Sequence, residues 1–406
     1  MTTDNFSHQF LILADESANW KVAGLRQLER LCLAINEYAA TTGAGSNVEI
    51  VLVWRPDISP AMRWRPESGL RFTESTEAVQ PQTRVLSTRL FVGRKGLAEF
   101  LEATAPINAS RGEIAGLWSR LPGLFEASPG HPSLKKSKRR WRFLAEANEI
   151  KSCETEFLRQ AGKSQDGIVS KFFNRPVSRA VTRQLLKCSI APTTWTLAIF
   201  ILPLIAFMFL IRGDYAGFVL GAAAFQLFSM LDGCDGEIAR AKYLESGRGA
   251  RADHLCDLFA NALFLIGLGT GLSVRHSAET TGSNYLWEAL LCAVLIMANE
   301  VLLRFSRRHN AVASAAFAER LYARHHGMIH HSGLAFFGER IVSWLFQLTK
   351  RDVSILAFFF LAVAGLPEWI LHLWTGVTLA SLALAVIAAV RGRNDQIGGL
   401  PSQTSS

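Results

Sequence analysis

The sequence lacks the cysteine pattern of a disulfide framework or a zinc site. Its six cysteines are scattered, and no two of them form a Cys-x2-Cys pair. Such spacing is typical of reduced thiols in a cytosol-facing or membrane protein. These cysteines are Cys32, Cys153, Cys188, Cys234, Cys256 and Cys292.

The first ten residues, "MTTDNFSHQF", also lack a basic start followed by an apolar core, so no cleaved signal peptide is expected. Apolar residues are abundant elsewhere. They make up 49% of the chain, and the mean hydropathy of +0.18 is high for a soluble protein. A length of 406 residues predicts two or three structural units, at roughly 100–200 residues per domain.

Residues 1–160 read as a soluble, cytosolic α/β domain. The runs "QFLILAD" and "VEIVLVW" predict buried strands on either side of a helix, "VAGLRQLERLCLAINEYAA". A further strand, "TRLFVG", precedes a helix, "GLAEFLEA". This β-α-β order predicts a Rossmann-like layered sheet.

Two basic segments follow. The run "PSLKKSKRRWRFL" is interpreted as a patch that meets anionic lipid headgroups, with a solvated linker as the alternative. The segment "SKFFNRPVSRAVTRQLLKC" has one apolar and one cationic side, which predicts an amphipathic helix on the membrane surface within residues 161–193.

Residues 194–393 contain six apolar runs, from Trp195–Ile211 to 369–390, each close to the length that crosses a bilayer. We therefore predict an α-helical polytopic membrane domain of six transmembrane helices, followed by a disordered tail at 394–406. The basic loops all fall on one side together with both termini, so that side should face the cytoplasm at the inner membrane. This topology accounts for the formal charge of +9, and no nucleic-acid partner is expected.

Acidic residues nevertheless interrupt the apolar region between predicted spans two and three. The members of the first pair are three residues apart and those of the second four apart, so each pair shares one helix face. A loop near Gly247 and Gly249 would bring the two pairs together. The four residues are Asp232, Asp235, Asp253 and Asp257.

Four carboxylates in one small space stay ionised together only with cations between them. Oxygen ligands select hard cations such as Mg²⁺, Mn²⁺ or Ca²⁺, and two divalent ions suit a diphosphate substrate. Gly236 and Ala239 remove side-chain bulk beside the first pair, which lets a flat group approach the backbone. Arg240 can reach a phosphate oxygen.

The full pattern, D-x2-D-G-x2-A-R-x8-G-x3-D-x3-D, resembles the signature of the CDP-alcohol phosphotransferase family without departure, and the resemblance extends from about Ser170 to Arg391. It implies that the four aspartates bind two divalent cations, Mg²⁺ or Mn²⁺, and that Asp257 is also the general base. It further implies a homodimer and a nucleotide pocket formed by Gly236, Ala239, Arg240, Gly249 and Thr196. In "SIAPTTWT", Thr193 stands where the family usually has Asn.

The implied reaction transfers a substituted phosphate from a CDP-alcohol, such as CDP-diacylglycerol, to an acceptor alcohol and releases CMP. Membrane lipids and both alcohols are thus the expected partners. Arg304, Arg308 and Lys350 are candidates for an acceptor phosphate, with positive-inside charge at the cytosolic ends of the spans as the preferred explanation. The "RHHGMIHH" histidines are interpreted as a solvated basic loop rather than a metal site.

The front domain loosely resembles the nucleotidyltransferase part of bifunctional inositol-phosphate cytidylyltransferase fusions. The segment "ADESANWK" stands where those proteins have a glycine-rich phosphate loop, so we predict an inactive domain. Three alternatives remain: a bifunctional enzyme that also makes its CDP-alcohol, a front domain that recruits a soluble partner, and a cation transporter with an acidic site.

Overall fold

The computed structural model describes residues 8–43, 48–64, 66, 71–74, 83–104, 114–124, 140–160, 167–277, 282–309 and 351–397. The chain divides into two compact units, each assembled from separate stretches of sequence. The α/β unit comprises Met1–Ser164, Arg179–Pro192 and Cys234–Ser246. The helical unit comprises Gln165–Ser178, Thr193–Gly233 and Gly247–Ser406. The domain boundaries inferred from sequence at 160, 193 and 393 stay predictions.

The first 160 residues supply the strands and helices that build the α/β unit. In chain order they are β1 His8–Ala14, β2 Lys21–Val22, β3 Leu25–Arg26, α1 Gln27–Thr42, β4 Val48–Trp54, β5 Arg71–Thr73, β6 Arg84–Ser87, β7 Leu90–Val92, α2 Gly96–Ala103, α3 Ile114–Leu124, β8 Trp141–Phe143 and α4 Ile150–Gln160. Short 3₁₀ helices occupy Glu16–Asn19, Pro60–Met62 and Ala147–Glu149.

A four-stranded parallel sheet forms the centre of this unit, in the order β5-β4-β1-β6. Central β1 and β4 are near-continuous apolar runs, as expected of strands covered on both faces, and their side chains form the main core. The predicted Rossmann-like sheet is therefore confirmed. The strand predicted at "TRLFVG" exists as β7, but it pairs with β8 in a separate antiparallel ribbon.

The first predicted helix begins later than expected. Val22–Arg26 form a two-stranded hairpin instead of helix, and α1 starts at Gln27. Ala23 and Gly24 occupy the turn with φ of 48° and 83°, in the left-handed region that ends regular structure. The spacing of the leucines correctly predicts helix from Gln27 onward, but it contains no sign of the preceding turn.

Helices make up the second part of the chain. They are a π-helical turn Ser170–Asn174, α5 Arg175–Leu185, α6 Pro192–Ile199, α7 Ile201–Leu210, α8 Tyr215–Ala241, α9 Gly247–Arg275, α10 Gly282–His309, α11 Arg351–Val363 and α12 Pro367–Ile397.

Most of the basic run "PSLKKSKRRWRFL", the part before Arg140, lies outside the described residues. Near the end of that run, Trp141–Phe143 form β8.

Four helical segments are long and apolar enough to cross a membrane, judged by length and composition only. They are Pro192–Leu210, Tyr215–Ala241, Gly247–Arg275 and Asn284–Val301. The first is interrupted between α6 and α7 at Phe200, because Pro203 has no N–H to donate to the carbonyl of Ile199. These segments coincide with predicted spans one to four.

Aromatic side chains dominate the core of the helical unit. The ring of Phe225 on α8 stacks on Phe264 of α9 with centroids 4.3 Å apart, and Trp374 of α12 lies 5.0 Å from Phe358 of α11. Helices α9 and α10 approach closely at Gly269, where an added Cβ would lie 2.5 Å from the Cβ of Ala289. The part of α8 up to Gly233 and helix α9 therefore belong to one packed bundle.

Candidate active site

The first half of the motif lies in the last turns of α8. Asp232 and Asp235 are one helical turn apart on the same face, as predicted, and Asp235 is buried. Gly236 has a local steric role, since a Cβ there would lie only 3.1 Å from Nη1 of Arg240. Glycine thus leaves room for this guanidinium beside the helix.

The second half of the motif lies in the first three turns of α9, which carry Gly249, Asp253 and Asp257. The chain reversal was expected near Gly247 and Gly249, and this was wrong by a few residues. Both glycines are helical, and the turn comprises Lys242–Ser246 instead. Its left-handed residue is Tyr243, with φ of 56°, where a glycine would be expected.

Arg351, the first residue of α11, is the principal partner of Asp257. Its Nη2 donates to Oδ1 of Asp257 at 2.8 Å, and its Nη1 donates to Oδ2, which makes the pair bidentate. Burial disfavours the charged guanidinium, but the negative charges of Asp257, Asp232 and Asp253 outweigh it and raise the pKa of Arg351. Three of the four predicted aspartates therefore stabilise the positive charge of one guanidinium, that of Arg351.

The sequence signal for Arg351 was present but ambiguous. It stood among the cytosolic cations explained by the positive-inside rule, and nothing local in the sequence connects it to a carboxylate 94 residues away. Of the predicted acceptor residues, Arg304 and Arg308 fall on the last turns of α10. Lys350 and the four histidines of "RHHGMIHH" lie outside the described residues.

The donor chemistry of the motif suits a hard divalent cation, because its donors are carboxylate oxygens. Within the described part of the chain, no three His, Cys, Asp or Glu side chains are grouped closely enough to hold a metal ion. Asp257 is engaged by Arg351 instead. Binding of a cation by Asp257 thus requires this guanidinium to share or release the carboxylate.

Two further contacts in the helical unit support the start of the motif. Trp195 on α6 donates from Nε1 to the carbonyl of Leu231 at 3.1 Å, one residue before Asp232. Its neighbour Thr196, a predicted nucleotide contact, is buried on the same helix. The guanidinium of Arg175 lies against Gly233, where a Cβ would come within 2.9 Å of Nη1. Trp195 and Arg175 were not predicted as site residues.

In the α/β unit, Glu237 is a fully buried acid inside the motif that sequence reasoning missed. Its Oε2 accepts a hydrogen bond of 2.7 Å from the hydroxyl of Thr182 on α5, which is also buried. Glu237 occupies a variable position of the signature, so the spacing gave no reason to select it. Its contact with Thr182 attaches the end of α8 to the amphipathic helix.

Residues 189–387 match the family model described as CDP-alcohol phosphatidyltransferase. The chain is 37% identical over 138 residues to a protein of Rubrobacter xylanophilus named "Bifunctional IPC transferase and DIPP synthase". That alignment covers 34% of this chain and 31% of the relative.

Proteins of the same name from Thermococcus kodakarensis and Archaeoglobus fulgidus are 34% and 31% identical over 127 and 126 residues. Each alignment covers 31% of this chain, and 28% and 25% of the respective relative. The chain thus matches about a third or less of the length of these curated relatives. The family match contains all four motif aspartates and the helices that carry them, α8 and α9. Residues 189–387 of this chain, just under half of it, are therefore similar to the CDP-alcohol phosphatidyltransferase family over the whole segment that carries the motif.

Proposed function

We propose that this protein transfers a substituted phosphate group from a CDP-alcohol to an acceptor alcohol, with release of CMP. The observation that carries the proposal is the complete signature on α8 and α9, within a segment that matches the family. The acceptor oxygen forms a bond to the phosphorus distal to cytidine, and the bond from that phosphorus to the bridging oxygen breaks. The products are a phosphodiester and CMP.

Asp257 takes the proton of the acceptor hydroxyl in this proposal. Its carboxylate is oriented by the two donors of Arg351, so the oxygens have a defined direction before substrate arrives. Two divalent cations, Mg²⁺ or Mn²⁺, held by Asp232, Asp235, Asp253 and Asp257, would neutralise charge on the diphosphate. Positioning and charge neutralisation supply most of the rate in phosphoryl transfer.

The nucleotide of the donor is assigned to Gly236, Ala239, Arg240, Gly249 and Thr196. Gly236 and Ala239 have little or no side chain, so they offer a flat surface for the cytosine ring. Arg240 carries a positive charge that can bind a phosphate oxygen. The absence of a side chain at Gly236 supports this assignment, because it leaves space for the guanidinium of Arg240 beside the helix.

An acceptor that itself carries a phosphate, of the inositol-phosphate type, is the narrower form of the proposal. Arg304 and Arg308 are four residues apart in the last part of α10. Lys350 is the third proposed contact. The relatives' printed names, IPC transferase and DIPP synthase, are consistent with this choice.

We further propose an inner-membrane protein with six spans, α11 and α12 forming the last two, and with the acidic motif and both termini on the cytoplasmic side. Helix α5 and the preceding turn lie on the membrane surface, since Phe172 and Phe173 are 70% and 51% exposed beside cationic neighbours. A homodimer through the membrane helices belongs to the same proposal. Exposed apolar residues on α10, among them Trp287, are compatible with a lipid or protein neighbour.

The front domain is proposed to be inactive in nucleotidyl transfer. Ligands of such sheets bind at the carboxyl ends of the strands where the strand order reverses, here beyond β1 and β6. At that point Arg89 donates to Asp15 at 2.6 Å and to Glu16 at 2.5 Å, and Arg55 donates to Glu16 at 2.9 Å. Carboxylates paired with arginines thus occupy the place where a triphosphate would need bare backbone N–H groups.

CMP release tests the proposal. The purified protein is incubated with CDP-diacylglycerol, Mg²⁺ or Mn²⁺, and a panel of alcohols that includes inositol phosphate. Wild type should release CMP with one acceptor class, and Asp257→Asn should lower the rate by about 10²- to 10⁴-fold, the usual contribution of a general base. Asp214→Asn is the matched control, because Asp214 is exposed and binds Arg212 before α8.

Three outcomes would contradict parts of this reading. Absence of CMP release with every acceptor would favour the transporter alternative. Full turnover by Asp257→Asn would refute the assignment of the base. Pyrophosphate release from CTP and inositol phosphate would show that the front domain is active and the protein bifunctional.

A further inference from the structure

The α/β unit includes the end of the helix that carries half of the motif. Ile238 and Ala241 of α8 are fully buried in a cluster with Ala23 of the β2–β3 hairpin, Leu158 of α4 and Leu186 after α5. The burial of these small and branched side chains attaches the last turns of α8 to the α/β core. The turn Lys242–Ser246 follows directly and carries the chain into α9.

The turn itself is bound on one side through Tyr243. Its hydroxyl donates to the carbonyl of Val92 at the end of β7, at 3.2 Å. Burial raises the pKa of Tyr243 to about 12, so this hydroxyl stays protonated and can donate at neutral pH. The guanidinium of Arg94 lies 5.2 Å from the centre of the Tyr243 ring, within range of a cation–π contact. These contacts hold Tyr243 in its left-handed backbone conformation.

Arg94 joins this turn to the first helix of the α/β fold. Its Nη1 lies 2.8 Å from Oε2 of Glu245 in the turn, and its Nε donates to Oε1 of Glu37 on α1 at 2.7 Å. On the other side, Lys242 donates to the carbonyl of Cys188 at 2.7 Å. Every residue from Lys242 to Glu245 except Leu244 is thus held by a side-chain contact inside this unit.

We infer that the α/β unit acts as a clamp on the turn between the two halves of the acidic motif, with Tyr243 and Glu245 as positioning residues. The inference rests on the proposed function, because it explains how a front domain without its own activity serves the reaction. The two aspartate pairs lie on α8 and α9, which this short turn connects in the chain. A loosened turn makes them sample more relative positions, so more free energy is lost when they gather around a cation.

Glu245→Gln tests the clamp, with Glu149→Gln as the matched control. Each substitution removes the acid of an ion pair in the α/β unit, but Glu149 binds Arg142 of β8 at 3.3 Å and does not belong to the turn. The side chain of Glu149 is 30% exposed and that of Glu245 is 42% exposed, so general destabilisation of the fold should be at least as great in the control. Thermal melting of both variants in the full-length protein verifies that they are folded.

The metal concentration that gives half-maximal CMP release should rise about three- to fivefold in Glu245→Gln, the range that a partly exposed ion pair supports. The rate at saturating metal should stay within about twofold of wild type, because no reacting group is altered. Calorimetric titration with Mn²⁺ should show the same order of affinities without requiring turnover. Glu149→Gln should match wild type in both measurements.

Equal shifts in the two variants, or no shift in Glu245→Gln, would overturn the clamp. A wild-type protein that binds Mn²⁺ but releases no CMP would refute the proposed function alone, and the calorimetric comparison of the two variants would still decide the clamp.

Discussion

Arg351 and a divalent cation would compete for one carboxylate of the acidic motif, that of Asp257. The guanidinium grips both oxygens of Asp257, and the charges of Asp232 and Asp253 act on it as well. A divalent cation would use the same carboxylate. Replacing Arg351 by glutamine removes the competing charge, so Arg351→Gln should bind Mg²⁺ or Mn²⁺ more tightly than wild type.

The size of the effect follows from Coulomb's law with strong screening. The side chains of Arg351 and Asp257 are 39% and 21% exposed, so the fully screened value for water gives the smallest effect to be expected. Two unit charges about 4 Å apart interact by about 1 kcal/mol in water, and a divalent ion doubles this to about 2 kcal/mol. Since each 1.4 kcal/mol is about tenfold in affinity, we expect about a thirtyfold lower dissociation constant.

Calorimetric titration of the detergent-solubilised protein with Mn²⁺ measures this directly. Arg275→Gln is the control, because Arg275 is 38% exposed and pairs with Glu368 at 3.6 Å at the far end of α9. It removes the same charge away from the motif, and its affinity for Mn²⁺ should equal that of wild type. Unchanged or weaker Mn²⁺ binding by Arg351→Gln would refute the competition between guanidinium and metal.

Two further predictions concern topology and stability. Cys188 is exposed, whereas burial raises the pKa of the Cys153 thiol to about 12 and so keeps it unreactive near neutral pH. A membrane-impermeant maleimide should therefore label Cys188 in inside-out vesicles and not in right-side-out vesicles. Loss of the signal in Cys188→Ser verifies the site, and labelling from the outside would contradict the cytoplasmic placement. Thr182→Val removes the hydroxyl that donates to buried Glu237, which should destabilise the fold by about 1–3 kcal/mol. Thr41→Val is the control, because the exposed hydroxyl of Thr41 donates to the carbonyl of Tyr38 within the same helix, α1. A melting temperature of Thr182→Val no lower than that of Thr41→Val would show that the contact contributes little.

Features with a local cause could be predicted from the sequence. The helix "GLAEFLEA" occurs as Gly96–Ala103, and the runs "QFLILAD" and "VEIVLVW" form the two central parallel strands. In each case, the signal is a repeat of apolar residues over a few positions. The same applies to the aspartate pairs, since spacings of three and four place two residues on one helix face wherever the helix lies.

The prediction from sequence failed locally where a residue adopts a backbone conformation that is unusual for its type. The reversal between α8 and α9 depends on Tyr243 in a left-handed conformation, which glycine normally adopts, and the glycines nearby are helical. The β2–β3 hairpin likewise overlaps the start of a pattern of leucines that predicted continuous helix. Contacts with other segments stabilise Tyr243 in its conformation, so the immediate sequence contains no sign of it.

The sequence by itself determined the class of each half of the chain, the acidic signature and the chemistry that carboxylates at such spacing favour. The tertiary structure decided which cation faces Asp257, which hydroxyl reaches Glu237 and which segments hold the turn. The pairs Arg351–Asp257, Thr182–Glu237 and Arg94–Glu245 join residues far apart in the chain. Their proximity depends on how complete helices and strands pack, which short-range periodicity does not specify.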